Sequence, residues 1–432
     1  MMKEGRGKTR RKWNAVRGLG ARTHRMTTRS FSRSEREEDE RVVPGLPDEI
    51  VLGHVVPKLP WQAFPVLSLV SRRWREANQS RCVYDARVRS HSTETLFVVC
   101  HGDKYEYRDH GMSLYSMRAN PSLRLPPFPK SWGYKCTTIP RFQNCLSFDG
   151  KIYLLGRYFG DWTGDEKQYS EVFMLDLAGQ REWKRCADMP QPKTYFGCGV
   201  AEGKIYVIGG DPIEKRPRQE LCECFVYDPR ANTWSPIRPM KQAFLVHRVF
   251  GVGKELFVMH RPHGHPAGLE VYHVDKDEWR SLGPWQKSLD EDECAMLKPW
   301  AFSKDLAQKM FSANGKLHMA TPFGIYIYSG GSDGNLKLWT RLHSYWGFEE
   351  HYENQRCKKM GTLKGLSKRL RRLAVIAGND ELVALARYRH DDCGTYLYRS
   401  RGFNGEKEEI VWDFIVELEH MIYNVNFCSV QL

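Results

Sequence analysis

The chain has 432 residues and a formal net charge of +14, too long for one ordinary compact domain and long enough for a small module beside a large repeat array. Hydrophobic residues make up 41% and aromatics 12%, with 36 Gly and 22 Pro; a sizeable core can form, and the mix favours an all-β body with many turns. No run of about 18 apolar residues is present, which argues against a membrane-spanning helix, and no apolar stretch of signal-peptide length opens the chain, which argues against secretion.

The charge is local. Residues 1–41 carry about 7 excess positive charges and the segment Arg356 to Arg372 about 8, which leaves the remainder near neutral. That distribution argues against a body built to grip phosphates and against nucleic acid as partner. The 12 Cys contain no CxxC pair, Cys222-Glu223-Cys224 being the closest spacing. They read as reduced thiols of a cytoplasmic or nuclear protein.

In chain order, residues 1–41 read as a disordered basic tail, Arg-rich and aperiodic, ending in the acidic run Glu35–Glu40. Lys8-Thr9-Arg10-Arg11-Lys12 fits a nuclear-import patch, and the acid-poor stretch also fits an organelle transit peptide; a solvated tail is the plainer account. Residues 42–90 then form a helical module. Pro44-Gly45-Leu46-Pro47-Asp48-Glu49-Ile50 sets proline and acids where a helix starts. Pro57 stops that helix and Leu59-Pro60 turns the chain. Phe64, Leu67, Val70, Ser71 and Trp74 recur at helical spacing and predict one face of a second helix. Two such helices cannot bury a stable core alone.

Residues 91–432 repeat a β pattern. A glycine turn between two strands recurs at Asp149-Gly150, Glu202-Gly203, Gly253-Lys254, Asn314-Gly315 and, more weakly, Gly378-Asn379-Asp380. Such turns need the positive φ that glycine adopts cheaply. Each is followed by a strand, a turn and a Trp, as in Tyr227-Asp228 to Trp234 and Tyr272 to Trp279. The period, roughly 50 to 63 residues, lies in the range of propeller blades. Thr95–Cys100 with Ser113–Ser116 supplies a sixth unit that lacks its first strand. The alternating segment Ile422–Val430 can complete it, which closes the array without an open edge.

Leu46-Pro47-Asp48-Glu49-Ile50, Leu59-Pro60, Phe64, Leu67 and Val70-Ser71-Arg72-Arg73-Trp74-Arg75 resemble an F-box, and Ile208-Gly209-Gly210 with Tyr227-Asp228 and Trp234 resembles a kelch blade. The pairing is similar to the plant F-box/kelch-repeat class. The double glycine is complete in one blade only, being Gly156-Arg157 and His260-Arg261 in the blades on either side. The resemblance implies a mainly β fold, a six-bladed kelch-type β-propeller behind a small helical F-box module. It implies a substrate-recognition subunit of a Skp–cullin–F-box ubiquitin ligase, with no catalytic residue, cofactor or metal of its own and no membrane partner. Leu46, Pro47, Ile50, Leu59, Pro60, Leu67, Val70 and Trp74 would form or support the adaptor-binding patch. The propeller would hold a target protein at residues the sequence does not name. The alternative is a kelch scaffold that binds proteins without a ligase role.

Other motifs reduce to simpler readings. Gly197-x-Gly199 with Gly203-Lys204 lacks phosphate-loop spacing and reads as a hairpin. His260, His263 and His265 lie in a Pro/Gly loop with no Cys or acid to complete a metal set. Ser329–Trp339 resembles a WD-repeat ending but occurs once. Leu363, Leu366, Leu370 and Leu373 allow a basic amphipathic helix, which Gly361 and Gly365 weaken; a charged insertion between blades is favoured, as for Asp290–Glu293.

Overall fold

The fold is that of a computed structural model, which describes residues 41–102, 110–116, 123–132, 142–159, 167–168, 170–194, 196–212, 222–241, 245–261 and 268–284, and strand residues between 310 and 431. The basic tail, the acidic insertion Asp290–Glu293, His263 and His265, Ser329 to Leu338 and the segment 356–369 lie outside the described residues.

The N-terminal module is helical throughout. Helix α1 (Asp48–Ile50) follows Pro47, whose φ of −60° suits a helix start, and Asp48 Oδ1 accepts from Val42 N at 2.9 Å. It continues as a π-turn, Val51–Val55, and a 3₁₀ turn, Val56–Lys58, so Pro57 sits inside the last turn and Leu59 is the first extended residue. Helix α2 (Ala63–Val70) is separate from α3 (Arg72–Asn78). The single helix expected through Ser71 to Trp74 is therefore broken. Ser71 is extended (φ −158°, ψ 168°), and its Oγ accepts from Trp74 N at 3.2 Å. A serine hydroxyl that can cap a new helix competes with continuing the old one. Helix α4 (Arg81–Arg89) starts the same way, Ser80 Oγ accepting from Cys82 N.

Six antiparallel sheets of four or five strands follow among the described residues, beside a two-stranded ribbon of Lys193–Thr194 and Asp211–Pro212. Blade 1 orders Phe427–Gln431, Thr95–Gly102, His110–Ser116 and Leu123–Arg124. Blade 2 orders Phe142–Phe148, Lys151–Phe159, Val172–Asp176 and Trp183–Arg185. Blade 3 runs Gly197–Ala201, Lys204–Ile208, Cys224–Asp228, Thr233–Ile237, and blade 4 Leu245–Val252, Glu255–Arg261, Gly268–His273, Glu278–Pro284. Blade 5 runs Met310–Ala313, Lys316–Thr321, Gly324–Tyr328, Trp339–His343, and blade 6 Leu370–Ala377, Leu382–Tyr388, Thr395–Arg401, Val411–Leu418. The innermost strands touch in ring order, from blade 2 through blade 6 to Phe427–Gln431 and back to blade 2. The molecule is a six-bladed kelch-type β-propeller behind a helical module. Its seam is the antiparallel register Thr95↔Gln431 to Val99↔Phe427.

Three of the predicted glycine turns fall among the described residues and have the positive φ expected of them, at Gly150, Gly203 and Gly253, while Asn314-Gly315 and Gly378-Asn379-Asp380 lie outside the described residues. Asp149 and Gly150 (φ 56° and 70°) and Glu202 and Gly203 (φ 48° and 72°) form hairpins with both central residues left-handed. Gly197 and Gly199 serve another purpose. A Cβ on them would meet Val246 Cγ1 at 2.4 Å and Val249 Cγ1 at 2.7 Å, and one on Gly251 would meet Val200 O at 1.8 Å. These glycines let the innermost strands of blades 3 and 4 approach. The less favoured alternative, an amphipathic helix through Leu370 and Leu373, does not hold, because both lie in the first strand of blade 6, paired with Tyr388 and Ala386. From Leu370 the segment reads Leu-Arg-Arg-Leu-Ala-Val-Ile-Ala, a β-prone run with a long sheet to join.

A polar clamp ties successive blades. Tyr227 Oη and the backbone N–H of Ala187, which follows blade 2, both donate to Asn232 Oδ1 at 2.7 and 2.8 Å; Trp234 Nε1 donates to Ala187 O at 2.9 Å. One blade on, Tyr272 Oη and Arg238 N donate to Asp277 Oδ1 at 2.7 and 2.9 Å, and Trp279 Nε1 to Arg238 O at 2.8 Å. Asn232 and Asp277 both have positive φ, which these short polar side chains tolerate. The Tyr–Trp pair noticed in the sequence is thus a seam fastener.

Alanine at Gly251 should cost on the order of 3 kcal/mol through forced separation of the two strands. Alanine at Gly253, a left-handed turn position with open space around it, should cost only about 1 kcal/mol. Thermal unfolding of the two variants checks the difference; equal shifts would refute the close-approach reading.

Candidate functional site

The helical module does not stand alone. Val51, Val56, Trp61, Phe64, Val83 and Tyr84 share one core with Leu96, Val98, Phe128, Ile152, Phe173, Leu175 and Trp183 of blades 1 and 2. Beneath it, Trp61 N donates to Glu94 Oε1 at 2.9 Å, Arg87 Nη1 donates to Leu59 O at 2.6 Å, and Arg87 pairs with Glu94 at 3.4 Å, both side chains buried. Removing either partner would strand the other's charge in the interior.

What remains outside is apolar. Every large hydrophobic residue exposed among the described residues lies in the module: Leu46, Ile50, Val55, Val66, Leu69, Val70 and Val88. Helix α2 carries the strongest of them, with Leu69 79%, Val66 64% and Val70 63% exposed. At about 100° per residue, these three lie roughly 140–240° around the helix from Phe64, which is buried. So α2 is apolar on two opposite sides and buries one. Exposed apolar residues concentrated on one element mark an interaction surface.

Of the residues expected to dock an adaptor, Leu46, Pro47, Ile50, Pro60 and Val70 are exposed. Leu59, Leu67 and Trp74 are half-buried, and Trp74 packs on the core shared with the propeller. Sequence reasoning missed Val66 and Leu69. It placed Phe64, Leu67 and Val70 on one face, whereas Phe64 is the inward anchor and Val70 is exposed. The signal was present: the run from Ala63 to Val70 has one polar residue, Ser68, and Ser68 bonds back to Phe64 O at 2.8 Å.

Nothing comparable assembles for chemistry. Among the described residues no group of three or more His, Cys, Asp or Glu side chains could hold a metal, and no helix is long and apolar enough to cross a membrane. His260, one of the three loop histidines, is buried in blade 4 over Gly268, where a Cβ would meet its ring at 2.5 Å.

The Kelch motif family matches residues 192–241, which contain the whole of blade 3. F-box/kelch-repeat protein SKIP30 of Arabidopsis thaliana is 28% identical over 46% of this chain and 55% of its own length. F-box protein AFR of the same plant is 26% identical over 58% and 65%. A further F-box/kelch-repeat protein of that plant, At1g22040, is 26% identical over 73% and 63%. The chain is similar to F-box/kelch-repeat proteins. It matches somewhat over half the length of these relatives, and its N-terminal helices fit an F-box.

If the outer face of α2 is free surface, Leu69→Ser should leave thermal stability within about 0.5 kcal/mol of the parent. Phe64→Ala, on the opposite face, should cost about 3–5 kcal/mol. Comparable losses in both would mean that α2 is packed all round.

Proposed function

We propose that the chain is the substrate-recognition subunit of a Skp–cullin–F-box ubiquitin ligase. The helical module would dock on the Skp-type adaptor, and the propeller would hold the target protein. The observation that carries this is the second apolar face of α2, exposed beside a core that is already complete without it. Leu46, Pro47, Ile50 and Val70 from the sequence pattern, joined by Val66 and Leu69, would supply the contact. Half-buried Leu59, Leu67 and Trp74, with exposed Pro60, would support the backbone beneath.

In this reading the chain is not an enzyme. It contributes proximity, bringing a target to ubiquitin carried elsewhere in the complex and replacing a chance encounter by an effectively intramolecular one. Residues 1–41 would be a tail, 42–90 the docking module and 91–432 the ring, working in the cytoplasm or nucleus.

The topology also favours one end of the ring for the target. The module enters blade 1 at the start of its second strand and lies against the Asp149-Gly150 and Ala178–Arg181 turns of blade 2. Those turns join first to second and third to fourth strands, so they share one rim. The opposite rim, where second strands lead to third and each blade leads to the next, is left for a partner.

Co-purification with a Skp-type adaptor tests the assignment. Ile50→Asp and Leu69→Asp should each weaken adaptor binding by at least about 100-fold, the loss expected of central interface anchors, while thermal unfolding stays as in the parent. Full adaptor binding in both variants would leave the kelch scaffold without a ligase role as the remaining reading.

A further inference from the structure

Blade 2 breaks the clamp that fastens blades 3 and 4, and the break is coordinated. Where the later blades have Tyr227 or Tyr272 opposite the Trp, blade 2 has Leu175 opposite Trp183. Where they have Asn232 or Asp277 at positive φ, it has Arg181 at φ 58°. Trp183 Nε1 still donates to a backbone carbonyl of the preceding blade, Pro126 O at 2.7 Å. Pro126 has no N–H to offer, so no acceptor is needed at position 181.

The side chain released from the clamp turns to the helical module. The Arg181 guanidinium lies over the Trp61 ring, 5.5 Å from its centroid. Among the described residues no carboxylate pairs with it, and burial alone pulls its pKa below the ordinary arginine value. An arginine accepting that desolvation on an aromatic face is held by stacking and cation–π attraction. Two further contacts fall on the same rim. Arg81 of α4 bonds Asp149 in the adjacent turn through both its carboxylate and, at 3.1 Å, its backbone O. Tyr84 covers Gly150 so closely that a Cβ there would lie 2.8 Å from the phenol ring.

We infer that Arg181 is a positioning residue: stacked on Trp61, and together with the Arg81–Asp149 bond, it forms a fixed joint that holds the docking module at one angle to the propeller. The inference rests in part on the ligase reading, because a fixed joint sets how far a protein held by the ring sits from an adaptor held by the module. The joint itself can be tested without that reading.

Hydrogen exchange followed by mass spectrometry on the full chain reads the joint directly. Arg181→Asn installs the residue of blade 3, which suits the left-handed turn but carries no charge. It should speed exchange at least tenfold in peptides covering 59–66 and 81–94. Arg181→Lys should restore part of the protection, and Asp277→Ala, which loosens a seam far from the module, should leave those peptides as in the parent. Unchanged exchange in Arg181→Asn, or an equal rise in Asp277→Ala, overturns the joint.

The second arm uses the receptor in complex with adaptor, cullin and charged ubiquitin-conjugating enzyme, mapping which of its own lysines are modified. The parent should show a restricted set and Arg181→Asn a spread over both rims. Identical maps would overturn the link from joint to transfer. Failure of the parent to bind adaptor would sink the ligase reading and leave the exchange result to decide the joint.

Discussion

Closure of the ring by Phe427–Gln431 against Thr95–Gly102 is the constraint on which the rest depends. A propeller blade buries its faces against its neighbours, so each sheet is stable only in a complete circle. Here the circle is completed by strands more than 300 residues apart in sequence, so its closure carries the loop entropy of almost the whole ring. The helical module is attached to the strand that receives the closing segment: Glu94, which accepts from Trp61, lies directly before Thr95. Ring closure and module docking therefore draw on the same few residues. A variant that frees the C-terminal strand would loosen blade 1 and, through it, the floor beneath the helices.

The propeller was legible because its signals are local and repeated. Positive-φ glycine turns, alternating strands and a Trp after the third strand of blades 2 to 6 recur often enough that one weak copy does not mislead. What escaped reading depends on partners far away in sequence. Gly197 and Gly199 read only as part of a hairpin, and nothing nearby in the chain says that Val246 and Val249 press on them. Leu370 and Leu373 fit a helix by spacing until the strand Leu382–Tyr388 supplies a ladder. Ser71 fitted a helix face, although a serine between an apolar run and Arg-Arg-Trp is also an N-cap, and the structure takes the cap.

In the module the sequence showed which residues are apolar but not which side they take. Periodicity alone makes Phe64, Leu67 and Val70 equivalent. Only the presence of the propeller core decides that Phe64 turns inward, with Arg87 lying over its ring at 5.3 Å and Asn78 bonding its carbonyl at 3.3 Å. Once Phe64 is fixed, the outward set follows as Val66, Leu69 and Val70. The family pattern marks the segment as a docking candidate without saying which side of the helix faces out, since a sequence pattern carries composition and not burial.

That outward face is a liability unless something covers it. Three large aliphatic side chains exposed on two turns of helix invite self-association, which the like charges of exposed Arg72 and Arg75 nearby would oppose between copies. The same arginines would favour a partner whose rim is acidic, giving orientation and a faster encounter where the aliphatic contacts give residence time. A surface of this kind is worth keeping only on a rigid support, because ordering a loose helix on binding would consume much of the free energy released by burying it. The core shared with blades 1 and 2, the buried Arg87–Glu94 pair and the stacking of Arg181 on Trp61 provide that support. The fusion of module to ring, which at first argues for mere packing, is therefore what would let an eight-residue helix hold its exposed apolar face preorganised for the proposed adaptor.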